Sequence, residues 1–97
     1  MNYNIIYWEN VYDDLNEISD YIERMTFSLE KAEQIVWEIL ASIQVLRFFP
    51  YMYQKFYKNY YTINIKNKRI IYFIDEEKKI IIIYRILWQA QNHKNIL

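Results

Sequence analysis

Apolar residues recur at helical spacing in the first half of this chain and at strand spacing in the second. Val11, Leu15, Ile18, Ile22 and Met25 step by four, three, four and three, one core-facing stripe. Asn10 stands where it can cap this helix, which is predicted to run to about Met25. Asp13, Asp14, Glu17, Asp20 and Glu23 fall on or near its outer face. Thr26-Phe27-Ser28 breaks the pattern, and Ser28 can cap a second helix, predicted over Ser28 to Phe48. There Leu29, Ala32, Val36, Ile39, Ile43 and Leu46 repeat the stripe. Ile35, Trp37, Leu40, Val45 and Phe48 widen it, so this helix meets more than one neighbour, and Trp37 is its candidate partner contact. Pro50 cannot continue a helical hydrogen-bond ladder.

The remaining apolar runs are short and rich in β-branched and aromatic residues, which suits strands. Tyr3 to Trp8 is one candidate. Tyr51 to Asn59 reads as a polar and aromatic connection. Tyr60 to Ile65 alternates, with Tyr61, Ile63 and Ile65 on one face and Tyr60, Thr62 and Asn64 on the other. Lys66-Asn67-Lys68 makes a turn, Asn67 being the residue that best tolerates a left-handed conformation. Arg69 to Asp75 and Ile80 to Trp88 then form a hairpin, and Gln89 to Leu97 reads as a tail. The order strand, helix, helix, strand, strand, strand predicts an α+β fold, a small antiparallel sheet under a helical hairpin.

Ninety-seven residues make one domain, 1–97. With no cysteine and a single histidine, His93, neither a disulfide nor a metal site is expected. No glycine means no glycine-rich phosphate loop, and no cofactor is expected. No basic stretch leads an apolar core at the N-terminus, and no apolar run reaches membrane-spanning length, so a cytoplasmic protein is the expectation. The zero net charge hides a division: residues 1–50 carry nine acids against three bases, and residues 51–97 nine bases against three acids. Such a split gives a bipolar surface, one side of it suited to an anionic partner.

Arg69 and Arg85 carry the candidate chemistry, because an arginine in so apolar a hairpin needs either an ion-pair partner or a water-filled cleft. A three-residue turn, Glu76-Glu77-Lys78, would set Asp75 against Lys79 and Arg69 against Arg85. Both arginines then share a face with Ile71, Phe73, Ile81, Ile83 and Leu87. Ile70, Tyr72, Ile74, Ile80, Ile82, Tyr84 and Ile86 would face the helices. The apolar middle of the arginine face calls for a cover, either the tail or another protein.

Asp14-Leu15, Asp20-Tyr21-Ile22, Phe49-Pro50, Arg69-Ile-Ile-Tyr-Phe-Ile-Asp75 and Tyr84-Arg85-Ile86-Leu87 together resemble the RelE/ParE toxins of type II toxin–antitoxin systems. The resemblance implies a growth-arresting protein neutralised by a cognate antitoxin. It also implies one of two targets: DNA gyrase for ParE-like members, or mRNA on the ribosome for RelE-like endoribonucleases. Arg69 and Arg85 match the family's strand arginines. Trp88 replaces the histidine usual after Arg-Ile-Leu, and Tyr61 stands where an arginine is usual. Gln89, Gln91 and Asn95 occupy places where RNA-cleaving members want bases and a tyrosine. Gyrase inhibition is therefore the leading expectation; the alternatives are mRNA cleavage, or a decayed member that only binds its antitoxin. The implied target contacts are Lys55, Lys58, Arg69, Arg85 and Trp88, and the implied antitoxin contacts are Trp37, Ile71, Phe73, Ile81 and Ile83. Were the chain an enzyme, Arg69, Arg85 and His93 would be its candidate catalytic groups.

Overall fold

A computed structural model describes residues 2–89. The elements run β1 (Asn4–Tyr7), α1 (Glu9–Thr26), α2 (Leu29–Val45), β2 (Gln54–Tyr57), β3 (Tyr60–Ile65), β4 (Lys68–Asp75) and β5 (Ile80–Trp88). The five strands form one sheet in the order β1-β5-β4-β3-β2. It is antiparallel except at β1, which runs parallel to β5 and pairs Asn4–Tyr7 with Ile80–Ile83. The two helices lie on one face as a hairpin.

The helical stripes work as expected where they are deep. Val11 and Ile18 of α1, and Ile39 and Ile43 of α2, pack with Leu46 onto Ile63, Ile70, Tyr72, Ile81, Ile83 and Ile86. Met25 and Leu29, at the hairpin tip, are exposed. The α1 N-cap is Trp8, with no side-chain cap, and Asn10 sits inside the first turn. Ser28 does cap α2, its hydroxyl accepting from the Lys31 N–H at 3.1 Å. The helix ends at Val45, ahead of Pro50, whose carbonyl accepts from the buried Tyr72 hydroxyl at 3.0 Å.

Two further features differ from expectation. The connection after Pro50 contains a strand, β2, at the free edge of the sheet against β3. Its four residues run from exposed (Gln54, Lys55) to half-buried (Phe56, Tyr57) rather than alternating. In the hairpin, Asp75 pairs with Ile80, so the turn has four residues, Glu76 to Lys79, with Lys79 left-handed and the Lys78 N–H bonded to the Asp75 carboxylate. A bulge between the Ile71 and Tyr72 pairs then inserts Tyr84 into β5. The longer turn reverses the faces of the first half of β5: Ile81 and Ile83 lie fully buried under the helices, opposite Ile74 and Tyr72. The bulge reverses them again, so Ile86 also reaches the core.

A carboxylate clamp and an open aromatic face

Arg69 and Arg85 do not face each other. Arg69 pairs with Leu87 and Arg85 with Ile71, two rungs apart along the ladder with the Ile70–Ile86 pair between them. Their surroundings differ more than their positions.

β1 ends at Tyr7, and its last bond to β5 is from the Trp8 N–H to the Ile83 carbonyl at 2.8 Å. The chain then turns into α1, which leaves Tyr84 to Trp88 with no strand on that side. Asp14, one helical turn past Val11, fills the gap. Its carboxylate accepts from the Ile86 backbone N–H at 3.0 Å and from Arg85 Nε and Nη2, each at 2.8 Å. Asp14 is only 5% exposed. Two charge-assisted bonds in fork geometry plus one backbone donor satisfy the carboxylate. They also raise the Arg85 pKa, the Asp14 hydrogen bonds outweighing the burial of the guanidinium. Asp14 was expected on or near the outer face of its helix, and instead it clamps the bulged edge. Of the two readings open for Arg85, ion-pair member or cleft residue, the geometry is that of the ion pair.

Arg69 remains on the sheet face away from the helices. Its Nε donates to Asn64 Oδ1 at 3.3 Å, and its guanidinium lies 4.4 Å from the centre of the Phe56 ring. Among the described residues it meets no carboxylate. Beside it the face turns aromatic: Tyr60 packs on Phe73 and on Tyr84, ring centres 5.5 Å apart in each case. Phe56, the strongest neighbour of Arg69, escaped sequence reasoning because it belongs to the unforeseen edge strand. Lys55 and Lys58 are exposed on and after that strand, Lys58 in a left-handed conformation over the Tyr57 ring.

Trp88 is half-buried and meets Tyr21 edge-on at 5.1 Å and the Lys68 ammonium at 4.7 Å. It also borders a shallow depression with Arg69, Asn67 and Gln89. Burial lowers the pKa of Lys68, whose ammonium donates to the Lys66 carbonyl at 2.7 Å. The five apolar residues expected to meet an antitoxin are scattered. Ile81 and Ile83 are in the core, so their expected place on the open face is corrected by the four-residue turn. Ile71 is on the open face but fully covered, Phe73 is half-buried there, and Trp37 is 71% exposed on the helical side. His93 lies outside the described residues, and those residues hold no carboxylate or histidine cluster able to take a metal ion.

The model of the ParE toxin of type II toxin–antitoxin systems matches residues 5–93. The chain belongs to the ParE toxin family. It is a type II toxin of the ParE/RelE fold. Its structure is similar to the chromosomal ParDE toxin–antitoxin system of P. aeruginosa, with a TM-score of 0.76 at 18% identity over 89% of this chain and 95% of that one. The RelBE2 toxin–antitoxin complex of Mycobacterium tuberculosis aligns with a TM-score of 0.69 at 14% identity, covering 91% of this chain and 99% of that one. The archaeal RelE–RelB complex of Pyrococcus horikoshii gives 0.63 at 15% identity, covering 95% of this chain and all (100%) of that one. At these identities the structural likeness establishes the fold, and the ParE model establishes the family. No curated protein sequence matches significantly. Within the family fold, Asp14 pins Arg85 while Arg69 stays open, and no described helix is long and apolar enough to cross a membrane.

Proposed function

We propose that this ParE-family protein arrests growth from within the cytoplasm by binding DNA gyrase, and that a cognate antitoxin silences it. The match of the ParE model to residues 5–93 carries the reading. The geometry is compatible with it, because inhibition by binding needs a surface and no acid–base pair. Arg69 on Phe56, with Lys55, Lys58 and the rim of Trp88, supplies cations beside flat apolar groups. Arg85 is already held by Asp14, which leaves Arg69 as the arginine for the target. Cleaving RNA instead requires groups that activate the 2′-hydroxyl and protonate the leaving oxygen, besides cations around the phosphate.

Pulsed expression tests this, with supercoiling assays on gyrase and mapping of mRNA 5′ ends run in parallel. Growth arrest with loss of supercoiling and an unchanged transcript map is the expected result. Codon-phased mRNA cuts with normal supercoiling would establish the endoribonuclease, and expression without any arrest a decayed member.

A further inference from the structure

The turn that follows α2 exposes a run of large apolar side chains. Val45, Phe48, Phe49, Tyr51 and Met52 all face water, Phe48 and Phe49 at 59% and 62%. An apolar patch of this size on a small protein marks a contact surface. The turn is fastened from its inner side. Leu46 and Pro50 are buried, the Pro50 carbonyl accepts from the Tyr72 hydroxyl, and the Arg47 carbonyl accepts from the Tyr3 N–H at 2.9 Å. Its outward backbone is satisfied as well. The Phe48 and Phe49 N–H groups both donate to the Val45 carbonyl, at 3.1 and 3.2 Å, and the Met52 N–H donates to the Phe49 carbonyl at 3.3 Å. Pro50 has no N–H to place. A turn whose donors are already used can leave water without stripping bare peptide groups. Charge at the patch has one sign. From Ile39 to Ile74 the chain holds no acid, and Arg47, Lys55 and Lys58 lie in or just after the turn. Lys55 lines a depression with Tyr51. Arg47 is half-buried, and its Nε is shielded from water with no acceptor among the described residues. The adjoining β4–β5 turn, tied to Tyr51 through Glu76, carries two acids and two lysines and so balances itself.

We propose that this turn seats the protein on a bilayer of anionic phospholipid, with Phe48, Phe49 and Met52 among the acyl chains and Arg47 and Lys55 at the phosphates. The proposal goes beyond the gyrase reading and does not depend on it. Lipid suits the turn because apolar side chains and unpaired cations lie within a few residues of one another, the layering of a membrane interface. An arginine beside exposed phenylalanines, with a shielded nitrogen and no acceptor, is matched by a phosphate held at the depth where the acyl chains begin. The rest of the surface sets the orientation. Glu23, Glu30 and Glu33 lie toward the hairpin tip, with most of the length of α2 between them and the turn. An anionic leaflet repels that end and attracts this one.

The probe is large unilamellar vesicles of phosphatidylglycerol mixed with phosphatidylcholine, co-sedimented with the full chain. Binding is expected to these vesicles, to be at least tenfold weaker on phosphatidylcholine alone, and to fall with rising salt. Phe48→Ser with Phe49→Ser should weaken it at least tenfold. Arg47→Gln with Lys55→Gln should remove the preference for phosphatidylglycerol. Both phenylalanines are exposed, and an unchanged far-UV spectrum and melting temperature confirm that each variant is folded. The chain has no cysteine, so Phe49→Cys can carry a single polarity-sensitive dye. Its emission should shift to the blue on anionic vesicles, and the same dye on Leu29→Cys, at the hairpin tip, should not shift. No binding, binding indifferent to Phe48 and Phe49, or an unshifted dye at position 49 would each overturn the proposal. So would a dimer in lipid-free solution that Phe48→Ser with Phe49→Ser dissociates, since the patch would then cover a second copy. Supercoiling assays run without lipid report on the gyrase reading alone, so either claim can fail without the other.

Discussion

Arg69 and Arg85 belong to one hairpin and one ladder, yet one is part of the fold and the other is presented by it. The difference is made by what lies beside each strand. Arg69 sits on a central strand, β4, with paired neighbours on both sides, so its backbone is satisfied and its side chain lies over Phe56 with an exposed face. Arg85 follows a bulge on β5 at the point where β1 has left the sheet, and the unpaired edge needs a partner there. Asp14 supplies an acceptor for the Ile86 N–H and, because it is a buried carboxylate, it then requires a cation. One free backbone donor thus commits an arginine to structure.

The largest expected effect follows from that commitment. Arg85→Ala leaves the Asp14 carboxylate buried without its cation and should cost about 3–5 kcal/mol in denaturant unfolding. A loss under 1 kcal/mol would return Arg85 to the cleft. Next comes the reversal of faces in β5. Ile83→Ala should cost about 2–5 kcal/mol, as for other buried isoleucines, and Ile82→Ala, half-buried on the open face, clearly less. Equal losses would mean that the ladder lacks the four-residue turn. Arg69→Ala should move stability by under about 1 kcal/mol, since it breaks one long hydrogen bond and one aromatic contact. It should nonetheless abolish gyrase inhibition in the supercoiling assay.

The smallest effect is at the hairpin turn, where Glu76 takes the Lys79 ammonium and the hydroxyls of Tyr51 and Tyr3. These partners, Lys79 first, hold its carboxyl down to about 2 from an ordinary 4.5, and the same bond pushes Tyr51 up to about 12. A depressed carboxyl contributes stability above its unfolded value and loses it as pH falls toward the folded one. The parent should therefore lose a small increment between about pH 4.5 and pH 2 that Glu76→Gln does not show in acid titration of the melting temperature.

Local periodicity carried most of this fold and little of the arginine chemistry. The stripes of both helices short of the hairpin tip, the Ser28 cap and the alternation of Tyr60 to Ile65 are short-range patterns, and these appear in the structure. β2 was hidden because an edge strand with Gln54 and Lys55 facing water has no two-sided pattern to show. The hairpin register depended on a turn one residue longer than expected and on a bulge, neither of which leaves a mark on so uniform an isoleucine run. Asp14 was read as one acid among many because its partner lies 71 residues away. A buried carboxylate is recognised by what it pairs with, and sequence spacing on α1 gives only its helix face.

The division between the two arginines is tested most directly by paired double-mutant cycles in denaturant unfolding, Asp14→Ala with Arg85→Ala and Asp14→Ala with Arg69→Ala. The expected result is a coupling of about 1–3 kcal/mol in the first cycle and additivity within about 0.5 kcal/mol in the second. Additivity in both cycles, or a larger coupling to Arg69, would contradict the assignment of Arg85 to the fold and of Arg69 to the target.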